Sequence, residues 1–323
     1  MCCSSWKVWG VGQVEFSHIP VLLNECMHGL NLKAGGTYVD CTLGGAGHSS
    51  EMLKLVKGIK LVGIDRDQDA LEASSKRLNE YKNQVLLVHD NFNNIKYILD
   101  ELEIEGVDGI LADLGVSSYQ LDNADRGFSF RYDSKLDMRM NRDDKLTAFD
   151  VVNTYDEAKL KKIFREYGEE NFAGPIAKKI VLNRNKKPIE TTFELRDIIL
   201  SSVPKYKGHD GKSNVTKCFQ AIRIEVNGEL DRLSAFIKDA VSKLKKGGRI
   251  AIISFHSLED RIVKNTFKEL ATDCVCPPDF PICVCNHKAD VKIITNHPII
   301  ASKEELNINS RSASAKLRVA EKL

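Results

Sequence analysis

Nowhere in its 323 residues does this sequence hold an apolar run of the ~18–20 positions that a membrane helix needs. Its first 13 residues carry one basic residue, Lys7, and no apolar core, so a signal peptide is not expected there. Both observations point to a cytoplasmic, reducing compartment, where the nine cysteines read as thiols or metal ligands rather than disulfides. An excess of charge of one sign is lacking too. Forty-seven Lys and Arg stand against 45 Asp and Glu, a net of +2, so any affinity for nucleic acid must come from a local patch. Internal repeats and low-complexity tracts are absent. What remains is an ordinary globular composition, 42% hydrophobic and 28% charged, in a chain long enough to bury a core without covalent staples.

Short apolar runs alternate with helical stretches. Thr37–Thr42, Lys60–Asp65, Val85–Val88, Gly109–Leu114 and Arg249–Phe255 read as buried parallel strands, and a helix is expected from Asp67 to Tyr81. This pattern predicts an α/β fold with a doubly wound sheet. The first four strands fall within about 80 residues. Between Leu114 and Arg249 the sequence reads as helices instead: Asp156–Tyr167, Phe172–Asn185, Thr192–Ser202 and Lys217–Leu244, the last broken near Asn227-Gly228. Thr191-x-x-Glu194 is a capping box for the third. The expected organisation is an extension over 1–15, a first part of the α/β domain over 16–121, an inserted helical subdomain over 122–228, and a second α/β part over 229–323. Positive charge concentrates in the insertion. Lys178 to Lys217 holds ten Lys or Arg and four Asp or Glu, which suits either a solvated face or a phosphate-contacting patch.

The sharpest local signal is Tyr38-Val-Asp-Cys-Thr-Leu-Gly-Gly-Ala-Gly-His-Ser49, a strand running through a glycine turn into a helix. Gly44, Gly45 and Gly47 allow close backbone approach to a ligand, and the helix starting near His48 offers unpaired N–H groups. Asp65 ends the next strand, 20 residues after Gly45, where a carboxylate accepts from ribose hydroxyls. A G-x-G-x-x-G pattern from Gly45 fails at Ser50, and no G-x-x-x-x-G-K-[ST] loop occurs. A turn without a pyrophosphate cradle favours S-adenosylmethionine, with a nicotinamide-dependent oxidoreductase as the trailing alternative. Phe92 follows the third strand, beside the expected adenine. Asp113 and the Ser117–Ser118 loop follow the fourth, where a methyl acceptor would sit.

Longer segments then become recognisable. Asp108-Gly-Ile-Leu-Ala-Asp-Leu-Gly-Val-Ser-Ser118, Leu136-Asp-Met-Arg-Met140, Phe219-Gln-Ala-Ile-Arg223 and Ile253-Ser-Phe-His-Ser-Leu-Glu-Asp-Arg-Ile-Val-Lys264 closely resemble the MraW family of ribosomal RNA small-subunit methyltransferases. The resemblance extends from Phe16 onward. It implies a Rossmann-like class I methyltransferase sheet and S-adenosylmethionine-dependent methylation of the exocyclic N4 of a cytidine in the decoding region of 16S rRNA. The implied cofactor contacts are Ala46, Gly47, His48, Asp65, Phe92, Asp113 and Gln120. Relatives often have Gly where this chain has Ala46. The implied partner is 16S rRNA in the small ribosomal subunit. A membrane partner is not expected, and a homodimer stays open.

Related amino-methyltransferases carry an Asn/Asp-Pro-Pro-aromatic loop after strand four. Here Asp113-Leu-Gly-Val-Ser-Ser118 takes its place. Asp113, or a backbone carbonyl of this loop, is therefore the candidate acceptor for the amino protons, supported by Ser117 and Ser118. His256 is a candidate substrate contact or proton relay, with a structural histidine as the equal alternative. Ser257 reads as a helix cap. Phe128, Phe130 and Tyr132, interleaved with Arg126 and Arg131, read either as a stacking platform for a flipped base or as core. Cys274-x-Cys276 and Cys283-x-Cys285 bring four thiols within twelve residues, a candidate structural zinc site despite the usual C-x₂-C spacing. Reduced surface thiols are the alternative. A non-catalytic RNA-binding or assembly protein would explain the basic insertion but not an intact cofactor turn.

Overall fold

Strands buried on both faces need continuous apolar runs, and those runs form the centre of the sheet. The computed structural model describes residues 20–204, 210–274, 276, 285 and 287–323. The expected extension over 1–15 lies outside them. β1 (Thr37–Asp40), β2 (Lys60–Asp65), β3 (Val85–His89), β4 (Val107–Asp113) and β5 (Leu244–Ser254) are parallel, in the order β3-β2-β1-β4-β5. Two strands not read from the sequence, β6 (Val291–Ile293) and β7 (Lys316–Lys322), extend the sheet as β5-β7-β6, antiparallel at both new pairings. The sheet is thus doubly wound and Rossmann-like, as expected. Its strand order reverses between β1 and β4, so a crevice opens beyond their carboxyl ends.

Helices cover both faces. α1 (Leu23–Leu30), α2 (Gly47–Leu55) and α3 (Gln68–Arg77) bury Met27, Leu30, Met52, Leu53 and Leu71 against one side. α4 (Ile95–Glu101) contributes Ile98 and Leu99 to the other. The short α5 (Ser118–Asp122) follows β4 directly. Then come α6 (Ala148–Thr154), α7 (Glu157–Glu166), α8 (Ala173–Arg184), α9 (Thr192–Leu200) and α10 (Lys212–Asn227), which build a separate core around Phe164, Ile176, Ile180, Leu195, Ile199 and Phe219. The Thr191–Glu194 capping box forms at the start of α9. α10 stops at Gly228 in the left-handed region, and α11 (Leu233–Ser242) returns to the sheet, so the expected long helix breaks where Asn227-Gly228 stands. α12 (Ser257–Leu270) and α13 (Lys303–Ile308) complete the chain.

The aromatic stretch after α5 differs from a stacking platform. Phe128 is buried in the helical core, Phe130 meets Phe219 edge-on at 5.3 Å, and Tyr132 is exposed. Apolar rings beside an unfilled helical core are worth more buried than held in water for a base. Among the described residues no helix is long and apolar enough to cross a membrane.

Candidate active site

A cavity of about 450 Å³ opens at the carboxyl ends of β1, β2 and β4, against α10 and the loop after β5. Asp65, Phe92, Asp113, Ser117, Ser118, Gln120 and His256 all line it, together with Gly44, Gly47 and His48. Ligand sites of about 300–1,000 Å³ take molecules of nucleoside size.

The glycine turn shapes one wall. Gly44 and Ala46 both adopt left-handed backbone (φ 50° and 54°), and Ala46 N–H donates to the Leu43 carbonyl at 2.7 Å. The Ala46 methyl is buried in the core beneath, so its backbone faces the turn. Gly47 opens α2 against Pro20, where a Cβ would lie 2.4 Å from the proline Cγ. His48 is buried, with Nε2 2.9 Å from the Val21 carbonyl. Burial pushes its pKa down to about 4, against the pull of that carbonyl, so the ring is neutral and braces α2 against the segment entering α1.

Three carboxyls stand at the strand ends. Asp40 accepts from Ser49 Oγ at 2.6 Å and from Thr42 N–H at 3.2 Å, and burial lifts its pKa to about 6. Asp65 accepts from Gly44 N–H at 2.7 Å on one oxygen and from Asp67 N–H at 2.9 Å on the other, again with burial lifting its pKa to about 6. Each of its oxygens keeps a lone pair for a ligand hydroxyl. Asp113 differs from both. Its backbone N–H donates to Thr42 Oγ1 at 2.6 Å, while its carboxyl Oδ1 is buried without a hydrogen-bond partner. Burial, reinforced by the charges of Asp40 and Glu259, pushes its pKa up to about 8. It is the carboxyl in this set with an oxygen that makes no hydrogen bond.

Ser117 caps α5. Its Oγ accepts from Gln120 N–H, and the Gln120 side chain accepts from Ser117 N–H in return. The other end of the Gln120 amide donates to Asp67 Oδ2 at 2.7 Å. Both ends of that amide are anchored inside the protein, which fixes the Gln120 side chain in the cavity wall. Ser118 is the first residue of α5. Phe92 reaches the cavity with one edge while its ring meets Phe236 at 4.7 Å, so it serves core and cavity together.

His256, not Ser257, caps α12. Its Nδ1 accepts from Glu259 N–H at 3.4 Å, and Glu259 reaches back to accept from Phe255 N–H at 2.8 Å. An extended backbone at His256 (φ −139°) provides the cap geometry, whereas Ser257 already lies in the helix and donates to Glu169 Oε2 at 2.6 Å. His256 Nε2 is buried, 3.2 Å from Glu259 Oε1 but outside hydrogen-bond geometry.

Two residues not singled out from the sequence complete this side. Arg223 on α10 is bidentate to Glu229, at 2.9 and 2.8 Å, and both line the cavity. Burial works against the Glu259 carboxylate, yet His256, Arg223 and the Phe255 N–H outweigh it and hold the group below its ordinary range. Arg223 closes the family-like Phe219–Arg223 segment, which was the one available signal for it.

The model of the MraW methylase family matches residues 15–323. The chain belongs to the MraW methylase family. Curated relatives include the ribosomal RNA small subunit methyltransferase H of Clostridioides difficile strain 630, 55% identical over 312 residues, covering 96% of this chain and 100% of that protein. The protein of the same name from Clostridium botulinum strain Kyoto is 57% identical over 315 residues, with the same coverage. Among solved structures, an rRNA methylase from Streptococcus thermophilus aligns at 12% identity and a TM-score of 0.41, over 95% of this chain and 99% of that one. Membership in a methylase family removes the nicotinamide-dependent reading.

Proposed function

We propose that the chain transfers a methyl group from S-adenosylmethionine to the exocyclic N4 of a cytidine in the decoding region of 16S rRNA. The observation that carries this reading is Asp113, a carboxyl at the end of β4 whose buried Oδ1 has no partner inside a nucleoside-sized cavity. A cytosine amino group is a poor nucleophile, and a carboxylate accepting its hydrogen draws electron density onto the nitrogen.

The residues present fit the cofactor. Asp65 offers free lone pairs to ribose hydroxyls, Phe92 an edge to adenine, and the Ala46–Gly47–His48 backbone a close approach at the start of α2. Gln120 shapes the wall between them. S-adenosylmethionine supplies an electrophilic methyl on a sulfonium, so no metal is required to activate it. A cation held in the cavity favours the ionised form of Asp113. Ser117 keeps its O–H for donation while its oxygen caps α5, and Ser118 lies beside it. The proton that leaves N4 passes to the Asp113 carboxylate, while His256, whose Nδ1 accepts from Glu259 N–H and whose Nε2 therefore carries the ring hydrogen, is assigned a substrate contact.

The helical unit over 122–228 is assigned to RNA recognition, on the strength of the basic stretch from Lys178 to Lys217. A ribosomal substrate makes the cytoplasm the working compartment. Nucleoside mass spectrometry tests the proposal, using the chain, S-adenosylmethionine and small subunits that lack the modification. N4-methylcytidine is expected. A methyl on another atom overturns the N4 assignment, and failure to bind S-adenosylmethionine overturns the enzyme reading itself.

A further inference from the structure

Far from the cavity, the chain leaves α12 and comes back to β6 through a narrow neck. Asp290 N–H donates to the Leu270 carbonyl at 2.8 Å, and Ala289 N–H to Asp273 Oδ1 at 3.2 Å. Beyond the neck, the sulfurs of Cys274, Cys276 and Cys285 converge within 4.8 Å of one another. Cys274 and Cys285 are 3.8 Å apart, sulfur to sulfur, although eleven positions separate them in sequence. Four sulfurs around zinc, with bonds of about 2.3 Å at the tetrahedral angle, stand about 3.8 Å from one another. A disulfide needs about 2.05 Å between its sulfurs, so Cys274 and Cys285 at 3.8 Å are not joined to each other by one.

We propose that Cys274, Cys276 and Cys285 are ligands of a structural zinc ion that closes this loop. Two features support a metal over a chance meeting of thiols. Exposed loop positions have no packing reason to gather cysteines, and Cys274 is exposed while the other two are half-buried. The sequence between them, Pro277-Pro-Asp-Phe-Pro-Ile282, has no periodicity that would build a core of its own. The fourth sequence candidate, Cys283, lies outside the described residues, and His287 follows two positions after Cys285. Converging thiolates suit zinc or an iron–sulfur cluster among common metals. Zinc binding deprotonates the thiols and releases protons, and it lends folding free energy to the segment that carries them. The site goes beyond the methyl transfer proposed above and does not depend on it.

Metal analysis of the untagged full-length chain, after gel filtration without chelator, is the direct test. About one zinc per chain is expected, falling below about 0.2 in Cys274→Ser/Cys285→Ser. Replacing zinc by cobalt in the wild-type chain should give sulfur-to-cobalt charge transfer and the intense visible bands of a tetrahedral ion. That measurement decides the matter even where the double variant does not fold. Three results overturn the proposal: less than about 0.2 zinc in a fully reduced sample that also takes up no added zinc, undiminished zinc in a folded double variant, or a brown iron–sulfur chromophore. Undiminished zinc would move the metal to the other carboxylate and imidazole cluster, Glu229, His256 and Glu259.

Discussion

Arg126 Nη1 lies 2.7 Å from Asp67 Oδ2, and both side chains are almost wholly enclosed, with 2% and 5% exposure. The pair joins the segment after α5 to the cap of α3, and so ties the entrance of the helical unit to the strand that presents Asp65. Asp67 Oδ2 also receives the Gln120 amide, and Arg126 donates to the Arg139 and Met140 carbonyls at 3.0 and 2.8 Å. Both Nη atoms of Arg126 and both carboxylate oxygens of Asp67 have partners, which is the condition under which a buried ion pair persists.

Removing one partner strands the other. Arg126→Met should lower stability by about 3–5 kcal/mol, read as a drop in the urea midpoint. Adding Asp67→Asn, which keeps an oxygen to cap α3, should recover part of that loss. A cost below about 1 kcal/mol for Arg126→Met would show that the pair is dispensable.

Gly47 has no room for a methyl group. An alanine Cβ there meets Pro20 Cγ at 2.4 Å, and a proline ring cannot swing aside as a long side chain can. Overpacking of this kind costs about 1–3 kcal/mol. Gly47→Ala should therefore displace Pro20 from the rim of the cavity and weaken S-adenosylmethionine binding about ten-fold or more, measured by calorimetry. Unchanged affinity would mean that the turn plays no part in holding the cofactor.

Asp65 and Asp113 were legible in the sequence because each closes an apolar run, and such runs end at one edge of a parallel sheet. Arg223 and Glu229 were not, because only the folding of the helical unit carries α10 back over that edge. β7 escaped for another reason. Its centre is Leu317-Arg-Val-Ala320, and Arg318 on it is only 7% exposed, held by Asp260 at 2.6 Å. A charge that is neutralised by a partner from α12 breaks the apolar run without breaking the strand. Arg126 follows the same rule, since an arginine among aromatics leaves open what it pairs with until Asp67 is found beside it.

His256 combines a cap with a place in the cavity wall, and two substitutions separate these roles. Asparagine can cap a helix, so His256→Asn should hold stability within about 0.5 kcal/mol, whereas His256→Ala should lose about 1 kcal/mol. If the ring also contacts the substrate, both variants lose about ten-fold or more in kcat/KM for the RNA, with cofactor affinity intact. Full kcat/KM in His256→Asn would reduce the residue to its structural role.

Asp113 makes the most distinctive pH dependence. An ordinary carboxyl near 3.8 is pushed up to about 8 in the folded chain, with burial the first cause. Between about pH 4 and pH 8 the folded state keeps a proton that the unfolded state has released. Stability from this group is therefore full at low pH, declines as pH rises across that window, and levels off above it. His48 works in the opposite sense, because its pKa falls to about 4 on burial and acid must charge it to unfold the chain. The difference between wild type and Asp113→Asn isolates the aspartate. Denaturation midpoints of the two proteins should draw apart steadily from about pH 4 to pH 8, with the variant gaining as pH rises. Saturating S-adenosylmethionine, a cation, should shrink that gap by favouring the carboxylate. In the same variant turnover should fall about 10²-fold or more while cofactor affinity changes less than ten-fold. Parallel pH profiles, or near-normal turnover, would remove Asp113 from the chemistry and leave a backbone carbonyl of the Leu114–Val116 loop as the acceptor of the amino hydrogen.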